Sequence, residues 1–192
     1  MSVVDALLIF FSCCLLHIEP TMTVGATQNN LSGKRIITLS TIFALIQVGV
    51  TILGVVAAQY INALIVSTAS ESLVPYLTFA LLFMLATYMI FKAFHFGDFT
   101  ESLVAYVTGG GIVKLALRWC PPILLTGVVL GISMPVSSLV ILLAFLCSLV
   151  ISTIGLCYGY WQGHRFVKTA YLIGGANLFI LAVKYIATLV RH

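Results

Sequence analysis

The sequence predicts an all-helical integral membrane protein, with six transmembrane helices arranged as two inverted three-helix repeats. Three observations support this fold: an apolar composition, six long apolar stretches, and a similarity between the two halves at a fixed offset. The chain of 192 residues is 61% hydrophobic and only 7% charged, and its mean hydropathy is +1.18. A soluble domain carries roughly 25% charged residues, so a fold this apolar requires lipid as its solvent. The length suits one membrane domain, 1–192, without a separate soluble domain.

Six apolar stretches approach the roughly 20 residues that a membrane-spanning helix needs. They are 3–25, 36–60, 73–94, 111–133, 136–161 and 169–189. These runs are too long and too unbroken for the alternating strands of a membrane barrel, and helices satisfy their own backbone polar groups in lipid. Asp5 stands where a signal peptide would carry basic residues, so we expect the first stretch to remain as a helix.

Lysine and arginine predict the orientation, because cytoplasmic loops are enriched in these residues. Seven of the nine flank the turns after the first, third and fifth stretches: Lys34, Arg35, Lys92, Lys114, Arg118, Arg165 and Lys168. We therefore expect these three turns in the cytoplasm and both termini outside. The net charge of +4 is dispersed and forms no basic patch, so nucleic acid is not an expected partner.

The two halves resemble each other at an offset of 101 residues. The matching positions are 16–20 with 117–121, 50–54 with 151–155, and Gln47 with Ser148. Because each half holds three helices, an odd number, the second half must run upside down. The repeats would cover about 1–95 and 108–192. Inverted repeats of this kind are typical of secondary transporters, whose sites form where interrupted helices of the two halves meet.

Prolines interrupt corresponding helices in the two halves. Glu19 lies in an apolar stretch and precedes Pro20, which lacks a backbone donor and frees a carbonyl one turn back. A carboxylate beside freed carbonyls suits a hard cation, and a carboxylate in lipid needs a partner. In the second half, Arg118 precedes Pro121 and Pro122. Arg118 could pair with Glu19 or extend to the cytoplasmic surface, and Glu19 could instead be interfacial.

Other polar side chains are candidates for the same site. His17 could move protons or bind a transition metal, and Cys120 could be a soft metal ligand or a redox thiol. His17 could instead be a structural histidine with satisfied hydrogen bonds, and Cys120 could be an ordinary packing residue. Thr21, Gln47 and Ser148 could add oxygen ligands.

The turn after the third stretch carries a second group of candidates. His95, Asp98 and Glu101 could collect a divalent cation on the cytoplasmic side, or they could simply be solvated. The five cysteines show no zinc-binding spacing, so a disulfide framework or structural zinc site is not expected. The chain has no phosphate-binding loop or nucleophile triad, so neither ATP hydrolysis nor another enzyme activity is expected.

The sequence resembles the bacterial manganese efflux pumps, six-helix proteins of the LysE-type exporter superfamily that contain two three-helix repeats. The matching segments are Val24 to Thr27, Ser152 to Gly155 with Gly159, and Ala170 to Gly175 continuing to Tyr185 and Ile186. The resemblance implies manganese export across the bacterial cell membrane. The family carries one intramembrane Asp in the first helix and another in the fourth, where this chain has Leu16 and Leu124. Glu19 is the carboxylate nearest to the first of these positions.

We therefore expect a secondary exporter of a divalent cation, most simply manganese, that works by alternating access and holds no permanent cofactor. One alternative with the same fold is an exporter of a small organic solute such as an amino acid, bound through Arg118. Another is a thiol-redox conduit resembling the cytochrome c biogenesis membrane proteins. That mechanism needs a reactive cysteine in each half, whereas the position of Cys120 corresponds to Glu19 in the first half. A scaffold without transport activity, and a homo-oligomer, also remain open.

Overall fold

The structure is a computed structural model that describes residues 3–27, 32–68, 73–95, 120–133, 138–163 and 166–190. All regular secondary structure in these residues is helical. The elements are α1 (Val3–Cys14), a 3-10 turn (Leu15–His17), α2 (Ile18–Ala26), α3 (Gly33–Thr68), α4 (Leu73–Phe94), α5 (Cys120–Ser133), α6 (Ser138–Gln162) and α7 (Val167–Val190). Within the described part, five helical spans are long and apolar enough to cross a membrane, and α5 is a shorter apolar helix. This agrees with the predicted multi-pass membrane fold.

The first membrane crossing is one helix with a tightened turn in its middle. It runs over Leu7–Ala26 and contains α1, the 3-10 turn and α2. Pro20 has no N–H to donate to the carbonyl of Leu16, four residues earlier, and the 3-10 turn lies at this point. The flanking residues keep right-handed helical dihedrals, so the chain continues to Ala26 as a helix. Glu19 consequently lies inside the crossing and is buried.

The helix α3 is longer than the stretch that the sequence predicts. α3 has 36 residues and extends beyond the predicted 36–60 at both ends. The described part of α5 starts at Cys120 and contains Pro121 and Pro122. Residues 111–119 of the predicted fourth stretch lie outside the described residues.

The first crossing forms the centre of the bundle. Its apolar window is 83% buried, whereas the windows of the other four spanning helices are 28% to 39% buried. α2 packs on α6, α3 packs on α5 and α6, and α4 packs on α7, while α1 contacts both α6 and α7. This arrangement places the polar residues of the first crossing between helices from both halves of the sequence.

Glycines permit the closest helix contacts. A side chain at Gly155 of α6 would collide with the hydroxyl of Thr21 in α2, and one at Gly127 of α5 would collide with the Thr51 carbonyl of α3. Lipid supplies no hydrophobic force between helices, so van der Waals contact between close backbones has to stabilise such pairs. These glycines therefore permit the close approach of α6 to α2 and of α5 to α3.

Candidate functional site

The interior of the bundle contains many polar side chains. The buried polar residues on the first crossing, α3 and α6 are Ser12, His17, Glu19, Thr21, Thr23, Ser40, Gln47, Thr51, Ser148 and Ser152. A polar group removed from water without a hydrogen bond destabilises a protein by roughly 1–3 kcal/mol. The partners of these groups therefore show which of them stabilise the fold and which remain available for a ligand.

Glu19 is held by two side chains from other helices. Tyr171 of α7 donates its hydroxyl hydrogen to Oε2 of Glu19. The Nζ atom of Lys92, in α4, lies 3.0 Å from the same oxygen and 5.2 Å from the centre of the Tyr171 ring. The resulting group joins α2, α4 and α7 by a buried ion pair and a charge-assisted hydrogen bond. We call Glu19, Lys92 and Tyr171 the ion-pair cluster.

The sequence did not identify Lys92 or Tyr171 as partners of Glu19. Lys92 is one of the basic residues that flank the third stretch, and the expected partner Arg118 lies outside the described residues. The available signal was the position of Lys92 inside the apolar stretch 73–94, where a lysine, like a carboxylate, needs a partner. The binding of a metal cation by Glu19 stays a prediction. In this structure Oε2 of Glu19 is paired with the Lys92 ammonium group.

Threonine hydroxyls bind the carbonyls around the proline-induced turn. Thr21 Oγ1 donates to the carbonyl oxygens of His17, at 2.8 Å, and Ile18, at 3.0 Å. Thr23 Oγ1 donates to the carbonyl oxygen of Glu19 at 2.8 Å. Such back-bonding satisfies carbonyls within a helix. These particular oxygens are therefore already hydrogen-bonded, and Thr21 uses its hydroxyl hydrogen within its own helix.

A second polar group connects the first crossing with α3 and α6. Gln47 Nε2 donates to the sulfur of Cys14 at 3.1 Å, and Ser148 Oγ donates to Gln47 Oε1 at 2.5 Å. Both Gln47 and Ser148 are fully buried, with exposed fractions of 1% and 0%. The amide of Gln47 thus bridges the two halves of the sequence, and its partner Ser148 is the residue at the 101-residue offset.

One turn further along, two buried polar groups have no hydrogen-bond partner. Neither ring nitrogen of His17, which is 0% exposed, makes a hydrogen bond, and the same holds for Oγ of Ser152. His17 meets the edge of the Phe43 ring, 6.4 Å away between centroids. Phe43 precedes Gln47 by one turn on α3, and His17 follows Cys14 by one turn.

The register of α6 places Ser152 at the same depth as His17. Ser148 lies at the level of Gln47, and Gly155 faces Thr21. Ser152 is one turn after Ser148, between these two levels. We call Cys14, His17, Gln47, Ser148 and Ser152 the polar layer. It contains both unsatisfied imidazole nitrogens and an unsatisfied hydroxyl, and a buried ligand would satisfy such groups.

A cavity of about 200 Å³ lies beside the polar layer. Its lining includes Phe10, Thr51, Gln59 and Ala144, from α1, α3 and α6. Thr51 follows Gln47 by one turn, and Ala144 precedes Ser148 by one turn. The cavity therefore ends about one helical turn from the Gln47–Ser148 hydrogen bond, on the side away from His17.

The remaining predicted site residues lie elsewhere. Cys120 is half-buried at the beginning of α5. His95 is exposed at the end of α4, where its ring stacks on Phe91 with centroids 4.0 Å apart. Asp98 and Glu101 lie outside the described residues. Among the described residues, no three His, Cys, Asp or Glu side chains are close enough to one another to hold a metal ion.

Comparison with known proteins identifies one family. Residues 30–186 match the model of the Mntp family, whose description is "Putative manganese efflux pump". The match covers most of the chain and includes Gln47, Ser148 and Ser152, while His17 and Glu19 precede it. No curated protein and no solved structure matches the chain significantly.

Proposed function

Because this chain belongs to the Mntp family of manganese efflux pumps, we propose that it exports a divalent metal cation, manganese in the first place, across a bacterial cell membrane. It acts as a secondary transporter driven by a proton or ion gradient. The proposed orientation has both termini outside and the turns after the first, third and fifth crossings in the cytoplasm, as the distribution of Lys and Arg indicates.

The packing of the helices supports the proposed inverted repeat. In an inverted repeat, each helix of the first half corresponds to one helix of the second half. When corresponding helices are exchanged, the α2–α6 contact becomes the α3–α5 contact, and both contacts are present. The α3–α6 and α4–α7 contacts each join two corresponding helices, so the exchange leaves these pairs unchanged. Residues related by a two-fold axis touch each other only near that axis. Gln47 and Ser148, which correspond at the 101-residue offset, are hydrogen-bonded. The polar layer therefore lies at the proposed interface of the repeats, where transporters of this architecture bind their substrates.

The observation that carries the proposal is the unsatisfied imidazole of His17 in this layer. Neutral imidazole is a good ligand for first-row transition metals, and amide and hydroxyl oxygens suit manganese. In the proposed cycle, the cation reaches His17, Gln47 and Ser148 from the cytoplasm and leaves through the cavity beside Thr51 after the two halves rock against each other. The ion-pair cluster holds the first crossing against α4 and α7 and does not bind the cargo.

The test is manganese tolerance of a manganese-sensitive bacterial host that expresses the full chain. Wild-type protein should restore growth at elevated manganese, and His17→Leu should abolish the effect because it removes the imidazole ligand. Cys157→Ser is the control, because Cys157 is a partly buried residue of α6 outside the polar layer. Equal protection by the His17→Leu variant, at equal abundance in the membrane, would exclude His17 from the transport site.

A further inference from the structure

The geometry of the 3-10 turn points to a site that also takes zinc. We propose that Cys14 and His17 together bind Zn²⁺, and ions of similar ligand preference, as a second cargo of this exporter. The proposal rests on the proposed export function, and it concerns which cations the polar layer accepts.

The local backbone aligns the two ligands. Cys14 is the N-cap of the 3-10 turn, and His17 is its last residue. In a 3-10 helix, side chains three residues apart eclipse each other, so Cys14 and His17 project from the same face of the first crossing. Both are completely buried, at 0% exposure, and this face meets Gln47 through Cys14 and Phe43 through His17.

The chemistry of these two groups differs from that of a manganese site. Manganese prefers carboxylate, carbonyl and water oxygens, whereas thiolate and imidazole favour zinc and related ions. The layer contributes no carboxylate: Glu19 is two residues away and its Oε2 is bound by Lys92 and Tyr171. With manganese, only His17 and the neutral oxygens could act as ligands, whereas zinc could use the sulfur as well.

The hydrogen bonds of the layer are compatible with a metal-bound sulfur. Gln47 Nε2 already donates to Cys14 Sγ, which is the kind of contact that orients and stabilises a ligating group. Binding would replace the S–H bond of Cys14 by a Zn–S bond and release one proton, because a coordinating thiol is deprotonated. The imidazole of His17 would form the second bond. The oxygens of Ser148 or Ser152 and water would complete the usual four ligands of zinc.

The experiment uses purified full-length protein in detergent, with Co²⁺ as a spectroscopic substitute for Zn²⁺. Wild-type protein should show the sulfur-to-cobalt charge-transfer absorption, and Zn²⁺ should displace it. Cys14→Ser should lose this absorption and bind Zn²⁺ at least about tenfold more weakly, since loss of even an outer-shell partner weakens metal sites by about 10–100-fold. The matched control Cys157→Ser, on the same bundle but outside the polar layer, should retain both properties.

A second measurement avoids substitutions. X-ray absorption at the zinc edge of the wild-type protein should show a Zn–S bond of about 2.3 Å. Bound zinc without a sulfur neighbour, or an unchanged cobalt spectrum in Cys14→Ser, would overturn the proposal. Failure of manganese flux in proteoliposomes would instead refute the proposed export of manganese, whatever the metal spectra show, so the two failures are distinguishable.

Discussion

Replacement of Lys92 by methionine should destabilise the protein strongly, because it leaves the Glu19 carboxylate buried without its cation. The side chains of Lys92 and Glu19 are only 14% and 6% exposed, and Nζ lies 3.0 Å from Oε2. Removing one member of a buried ion pair typically costs about 3–5 kcal/mol. The hydrogen bond from Tyr171 would remain, so we expect a loss near the lower end of that range. Glu19→Gln should be comparably harmful, because it removes the carboxylate charge that faces the Lys92 ammonium group.

The double variant Glu19→Gln/Lys92→Met should recover most of this loss, since replacement of a buried pair by neutral groups is often nearly neutral. The free energy of unfolding would be measured in mixed detergent micelles for all four proteins. Lys184→Met is the matched control: Lys184 pairs with Asp5 at 2.6 Å but is 60% exposed, so its loss should cost less than about 1 kcal/mol. Additive effects of the two single changes, or losses no larger than that of the control, would refute a buried, coupled pair.

Two further changes test the packing and the polar layer. Gly127→Ala should cost about 1–3 kcal/mol, because its Cβ would collide with the Thr51 carbonyl, whereas Gly49→Ala meets nothing and should stabilise α3 by up to about 1 kcal/mol. Equal unfolding free energies for the two alanine variants would contradict the close α3–α5 contact. Ser148→Ala removes the hydrogen bond to Gln47 Oε1 and should cost about 1 kcal/mol while lowering manganese flux in proteoliposomes. Unchanged flux would place the transport path elsewhere.

The sequence was most informative at the prolines and polar residues that interrupt the apolar stretches. The stretches of about 20 apolar residues predicted the spans, and Pro20 predicted the disturbed turn in the first crossing, because a missing N–H has the same consequence in any helix. The 101-residue offset singled out Gln47 and Ser148 as corresponding polar residues, and these two are hydrogen-bonded. Polar residues within lipid are few, so their spacing carries information.

The partners of Glu19 could not be predicted in the same way. Its contacts with Lys92 and Tyr171 depend on how α4 and α7 are rotated and shifted against α2, and helices that are apolar on every side show no periodicity that reports this. The prediction that Pro121 and Pro122 interrupt the fourth crossing stays a prediction, because residues 111–119, which precede them, lie outside the described part of the chain.

The most direct test measures manganese flux through purified protein in proteoliposomes. It compares a variant of the polar layer with a variant of the ion-pair cluster. We predict that His17→Leu abolishes flux, because it removes the one imidazole in the layer, and that the folded Glu19→Gln/Lys92→Met variant retains it. The opposite pattern, with flux preserved in His17→Leu and lost in the double variant, would contradict the account and identify Glu19 as the cation-binding residue.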